Sequence, residues 1–447
     1  MDYSLSIKHS PKHPFHAEFL TTANIFYFAS NGFLEVRETP SGNLLVQQPF
    51  VEGVLDFHAY LNSSNQLYCV FLGKDIRVYS NGEEQVFQLP KEYEHFFIDR
   101  TANLIYFSNK RETFSFDLQT NEFKGTSLSH KHNHGQFFVQ GGFHCVFLEK
   151  SFKIINFESQ FEYQTFETGE KIICWDFRPT SETSKHVTLA VGCESGNVYI
   201  YKFKSTGNFD SRRHKKWHAK GVLSLRLSRE RDVLCSGGYE GVLVFWDFAN
   251  DKLDFLPRLG SPVLRISYSF QEEFFLVTTL NNKVLVKQAF NFQSVFEKTS
   301  VPYDYFATDS SLQSQNYLCV VDSFNHLFIS RYNKQEDNFE IKELNPTGRN
   351  FIDTDLTKKD SEGRNYKLEN VCLTPDGNVL ATAENFSIRG KTIFSKLKFF
   401  ILKQESGAFE LMGKFENPHI NEPIDALHFF YNKETEGKII REYFPVD

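Results

Sequence analysis

The chain has 447 residues, of which 40% are apolar and 23% charged, and a net charge of −7. That balance excludes a protein held to nucleic acid by its overall field, because phosphate neutralisation needs surplus cations, so any RNA contact has to be a local patch or run through a partner. With 49 Phe and 19 Tyr, the composition favours pleated, half-buried surfaces, and so β-structure.

The first residues, MDYSLSIKHSPKHPFH, lack the apolar core of a signal peptide. No apolar run approaches the roughly 18 residues of a transmembrane helix. Cys69, Cys145, Cys174, Cys193, Cys235, Cys319 and Cys372 are scattered without a C-x-x-C pair, mostly in apolar stretches. A reduced, intracellular compartment is the expectation. Asn62 and Asn385 open N-x-[ST] triplets, which are chance matches without a secretory route.

From there a repeated unit runs down the chain. A polar turn leads into an apolar strand in SNGFLEV (ending at Val36), GKDIRVY (Tyr79), RETFSF (Phe116) and FKIINF (Phe157). The pattern recurs in SGNVYIY (Tyr201), CSGGYEGVLVFWDF (with Trp246), NNKVLVK (Lys287) and NHLFISR (Arg331). An apolar strand usually precedes the turn, as in LYCVFL, FLVTTL and YLCVVD. A period of about 40 residues with four short strands per unit marks a β-propeller. One such sheet cannot bury both faces alone; stacking sheets around an axis covers each face with a neighbour.

The segment from Asn333 to Asn365 is charged and poor in aliphatics, and reads as an insertion or linker. The pattern resumes in KLENVCLTPDGNVLATAEN, whose T-P-D-G (Thr374 to Gly377) suits a type I turn, then in KLKFFIL and NEPIDALHFFYN. The expected organisation is all-β. One complete propeller of about seven blades spans 1–332, a charged linker 333–365, and an incomplete second propeller 366–447. A single ring of eight or nine blades is the alternative.

The best-defined unit, Lys216 to Phe248, resembles a WD40 repeat, which pairs a Gly-His start with a Trp-Asp end. His218 stands four residues before Val222, with Trp217 in place of the Gly. The resemblance implies a WD40-type propeller in which His218, Ser236, Glu240 and Trp246 form a structural side-chain network, Glu240 replacing the usual Asp. SGGYEGVLVFWDF followed by FLPRLGSP (Phe255 to Pro262), then LENVCLTPDGNVLATAEN, LKFF and PHINEPIDALHFF in that order, resembles the WD repeat-containing protein 75 family. Those motifs cover about Lys216 to Phe430. Family members are tandem-propeller subunits of the UTP-A complex of the small-subunit processome and are longer, so this chain reads as a fragment or shortened form.

What the resemblance implies is a non-enzymatic nuclear and nucleolar scaffold acting in pre-rRNA processing and 18S rRNA maturation, with a link to RNA polymerase I transcription. Its implied partners are other UTP-A and processome proteins, with pre-rRNA and U3 small nucleolar RNA reached directly or through them. No cofactor, membrane or small-molecule substrate is implied. The rivals are a generic WD40 adaptor in another intracellular assembly and a propeller enzyme.

Three features remain as candidate sites. His218, Ser236 and Glu240 have the residue types of a hydrolase, but no serine lies in G-x-S-x-G, and a turn-locking role is the stronger reading. RRHKK puts Arg212, Arg213, Lys215 and Lys216 in what reads as a loop, as candidate RNA contacts. HKHNH (His130 to His134) alternates three histidines as some metal sites do, but Gly135 and its polar flanks favour a plain loop, and no metal site is expected. No G-x-x-x-x-G-K-[ST] or G-x-G-x-x-G is present, so nucleotide chemistry has no support.

Overall fold

The computed structural model describes residues 17–427, apart from the segments 126–135, 157–163, 179–185, 308–316 and 345–363 and shorter breaks between strands. All its regular elements among the described residues are β-strands, arranged as nine four-stranded antiparallel sheets. Each sheet is made of four strands consecutive in sequence, in the order of the chain.

The chain divides into two compact units, Met1–Lys298 and Thr299–Asp447. The first holds seven sheets, here blades 1 to 7, spanning 17–49, 56–88, 95–125, 136–167, 172–216, 222–256 and 263–299. Each repeat segment read from the sequence contributes described residues to the third strand of a sheet. SNGFLEV supplies Phe33–Glu38 of blade 1, and the Trp246 stretch supplies Leu243–Asp247 of blade 6.

An apolar layer fills each space between neighbouring blades. Between blades 1 and 2 it contains Tyr27, Val36, Phe57 and Phe71. Phe107 and Phe116 with Val70 and Ile76 fill the next space, and Phe152 and Phe147 meet Tyr201 and Phe203 between blades 4 and 5. Phe97 of blade 3 packs against that last layer. Between blades 5 and 6 lie Val198, Ile200, Val244 and Trp246. Fully burying one such side chain stabilises by about 1.5–3 kcal/mol, which is why alternating apolar residues suffice to stack the sheets.

The ring closes between blades 7 and 1. Ala17, Phe19, Phe26 and Phe28 pack on Phe274, Leu276, Val284 and Val286. The Phe19 N–H donates to Ser267 Oγ (3.2 Å), and Lys298 pairs with Glu35 at 2.5 Å. Among the described residues no strand is exchanged across this seam: each end of the ring supplies its own whole blade. The first unit is therefore a complete seven-bladed WD40-type propeller.

The second unit holds two further sheets, 305–344 and 364–416, joined by Leu327 and Ile329 against Leu368, Leu373, Leu380 and Phe400. Residue Ile424 is buried beside the last sheet, where Asn385 Oδ1 accepts from its N–H (3.2 Å) and Asn370 Nδ2 donates to its carbonyl (2.7 Å). The division at 298/299 differs from the boundary at 332 expected from sequence. The physical reason is closure: blade 7 finds its neighbour in blade 1, so the sheet containing NHLFISR belongs to the second unit. Part of the expected linker 333–365 is also a strand, Asn338–Leu344, the fourth of that sheet.

Candidate functional site

The structure brings His218, Ser236, Glu240 and Trp246 together. Trp246 lies on the third strand of blade 6 and Ser236 on the second (Val233–Gly238). Glu240 sits in the turn between those strands, and His218 precedes the first strand. The Trp246 indole N–H donates to Ser236 Oγ at 2.8 Å, and His218 Nε2 lies 2.9 Å from the same oxygen. His218 Nδ1 is 3.2 Å from Glu240 Oε2, while Glu240 Oε1 accepts the Lys220 N–H at 2.7 Å. The longer glutamate therefore closes the network and gains a backbone donor.

Glycine makes the room. A Cβ on Gly238 would stand 2.5 Å from Glu240 Oε2 and 2.7 Å from His218 Nδ1. Gly241 adopts φ +65, in the left-handed region, and passes close to the Ser261 carbonyl on the blade 6 to blade 7 crossover. His218 and Ser236 are wholly buried. A nucleophile must reach its substrate, and this serine does not. Burial pushes the Glu240 carboxyl up, but the His218 ring and the Lys220 N–H outweigh it and hold the group below its ordinary value.

The RRHKK cluster lies on a strand, not in a loop: Phe209–Lys216 is the outer strand of blade 5. Side chains alternate across a strand, so four cations in this run cannot share one face. Arg212 and His214 pair with Tyr201 and Tyr199 and point toward blade 4. The Arg212 guanidinium lies 4.3 Å from the Tyr199 ring centroid, and His214 stacks on that ring at 5.0 Å. Arg213 and Lys215 point toward blade 6, where Arg213 lies 5.8 Å from the Phe248 ring and Lys215 pairs with Asp251 at 3.1 Å. Lys216 is exposed at the strand end. The histidines at 130–134 lie outside the described residues, and no cluster of metal-ligating side chains occurs among the described ones.

Sequence reasoning missed a charged cluster on the first strands of four blades. Glu18 of blade 1 pairs with Arg265 of blade 7 (2.6 Å) and Arg226 of blade 6 (3.2 Å), and Arg226 reaches Asp176 of blade 5 (3.4 Å). Ser267 Oγ also donates to Glu18 (2.8 Å), and the Leu227 N–H donates to Asp176 (2.6 Å). Burial raises the Asp176 carboxyl, Glu18 adds to the rise, and Arg226 opposes it. The available signal was a lone charge inside an apolar strand, as in AEF and ICWDF.

No family model matches the chain. Similar proteins include U3 small nucleolar RNA-associated protein 17 of Schizosaccharomyces pombe, 32% identical over 100 residues, which cover 22% of this chain and 12% of that protein. WD repeat-containing protein 75 of Homo sapiens is 27% identical over 227 residues, 49% of this chain and 26% of that protein. NET1-associated nuclear protein 1 of Saccharomyces cerevisiae is 37% identical over 76 residues, covering 17% of this chain and 8% of that protein. The chain thus matches about a quarter or less of the length of each of these relatives. Among solved structures, a chain in the crystal structure of the mitotic checkpoint complex aligns over 63% of this chain and 81% of its own length, at TM-score 0.37 and 15% identity. With a WD-type network in blade 6 and matches to WD repeat-containing protein 75 from several vertebrates, the chain is similar to the WD repeat-containing protein 75 family.

Proposed function

We propose that this protein is a non-enzymatic scaffold in ribosome biogenesis, a UTP-A-type subunit of the small-subunit processome acting in the nucleolus on pre-rRNA processing and 18S rRNA maturation. The observation that carries the reading is the similarity to a protein named for association with U3 small nucleolar RNA, together with the relative named as a nuclear protein. A closed propeller suits the role: stacked blades hold the geometry while rims and loops present contacts. The buried state of His218 and Ser236 supports a structural network over a hydrolytic one. A role in RNA polymerase I transcription belongs to the same reading.

Of the candidate RNA contacts Arg212, Arg213, Lys215 and Lys216, direct RNA contact falls to Arg212 and Lys216. Since the strand turns only Arg212 and Lys216 away from blade 6, the log–log salt slope for RNA is expected near −1.4, the value of about 0.7 per phosphate for two contacts, instead of four.

Affinity purification of the tagged full chain, with protein and RNA identification, tests the function. Recovery of U3 RNA and UTP-A subunits is the expected result. Recovery of neither, with a different assembly in their place, overturns it in favour of a generic WD40 adaptor.

A further inference from the structure

The rim between blades 5 and 6 carries a surface that the ribosome-assembly reading does not use. Arg213, Lys215 and Trp217 alternate along the outer strand of blade 5 and its exit, so all three face blade 6. Opposite them runs the outer strand of blade 6, Lys252–Leu256. Its Leu253 pairs across the sheet with Trp246 and its Phe255 with Val244, which places both on the face turned to blade 5. The Trp217 and Phe255 rings meet at 5.1 Å. Yet Leu253 is 47% exposed, Trp217 39% and Phe255 37%. A strip of aliphatic and aromatic surface is thus open to solvent, with two cations beside it.

Those cations are poorly committed. Arg213 rests over the Phe248 ring and has no carboxylate partner among the described residues. Among the described residues Lys215 pairs only with Asp251, whose side chain is 87% exposed. A solvated pair of that kind gives way to an incoming carboxylate at little cost. In a chain of net charge −7, a basic strip of this sort attracts anions locally.

We propose that this rim docks an extended acidic peptide segment of a partner protein. An aliphatic or aromatic side chain of the peptide sits on Leu253 and Phe255, and its flanking carboxylates meet Arg213 and Lys215. Charge complementarity selects the occupant, and the apolar strip between two rigid sheets selects an extended one. The chemistry favours a peptide over single-stranded RNA here. Base stacking needs open ring faces, whereas Leu253 has no ring and the Trp217 and Phe255 rings pack against each other at a tilt of 38°. The proposal goes beyond the ribosome-assembly reading and does not depend on it.

The test is fluorescence anisotropy on the full chain with a labelled synthetic peptide, a central Leu-Phe pair flanked by glutamates. The same peptide with glutamines and an oligouridylate strand serve as controls. The acidic peptide is expected to bind roughly tenfold or more tightly than the glutamine version, with affinity falling as salt rises. Leu253→Ser and Arg213→Ser each weaken it by about tenfold. Leu44→Ser, at an exposed position on the outer strand of blade 1, leaves it unchanged. All three positions are at the surface, so folding is retained, and thermal melts verify it. Equal binding of both peptides, or indifference to the rim variants, overturns the proposal. So does an oligouridylate that binds at the rim while the acidic peptide does not. None of these outcomes bears on recovery of U3 RNA, so the two readings fail separately.

Discussion

In blade 3 the sheet is held by rings. Phe107 stacks on Phe114 at 5.0 Å, and Phe116 packs on Phe123 at 4.7 Å and on Phe87 of blade 2 at 5.1 Å. In blade 6 the equivalent job falls to four polar side chains, joined from the Trp246 indole through Ser236 and His218 to Glu240. Ring packing is non-directional and is graded by volume. A polar network is directional, and removing one partner leaves the others buried and unpaired. The same four-stranded sheet thus tolerates two kinds of glue that fail in different ways.

The sharpest way to break the comparison is from the aromatic side. Phe116→Ala empties a fully buried site and is expected to cost about 3–5 kcal/mol in chemical denaturation. A loss under about 1 kcal/mol would show that rings do not hold blade 3. In blade 6, Ser236→Ala leaves the Trp246 and His218 ring nitrogens without their shared hydroxyl, at about 1–3 kcal/mol per orphaned group. A neutral outcome, read as an unchanged denaturation midpoint, would remove the network from the account.

A subtler difference is pH dependence. Glu240 is held below its ordinary value of 4.5. A carboxyl depressed on folding stabilises the protein above its unfolded value, and that contribution disappears as the pH falls through the lower folded value. The melting-temperature gap between wild type and Glu240→Gln should therefore narrow as the pH drops below 4.5. The offset of Phe116→Ala should stay constant across the same range. The smallest effect belongs to the surface: Lys215→Ala breaks an exposed pair and should shift stability by about 0–1 kcal/mol.

Blade 6 was legible in sequence because its network uses residue types at fixed spacing within one repeat. The FLPRLGSP piece was informative for a reason the structure supplies: it is the crossover on which the Gly241 turn packs, with the Leu259 N–H donating to the Gly241 carbonyl at 3.0 Å. Third strands were legible throughout, since each follows a polar turn. What was hidden lies between repeats. Sequence shows that Glu18 is a lone charge, but not that it meets Arg226 and Arg265. The basic cluster was misread as a loop because charged residues on both faces erase the alternation that marks a strand. An outer strand, wet on both faces at its exposed end, has no need of that alternation.

The seam between blades 7 and 1 has a consequence in time. Glu18 and its partner Arg265 are 247 positions apart. At synthesis rates of about 5–20 residues per second, blade 1 leaves the ribosome about 12–50 s before blade 7 exists to cover it. Throughout that interval Phe19, Phe26 and Phe28 lack the blade 7 face that later covers them. The newborn first blade is thus a waiting half-interface, and its apolar face stays open to any neighbouring surface until blade 7 arrives.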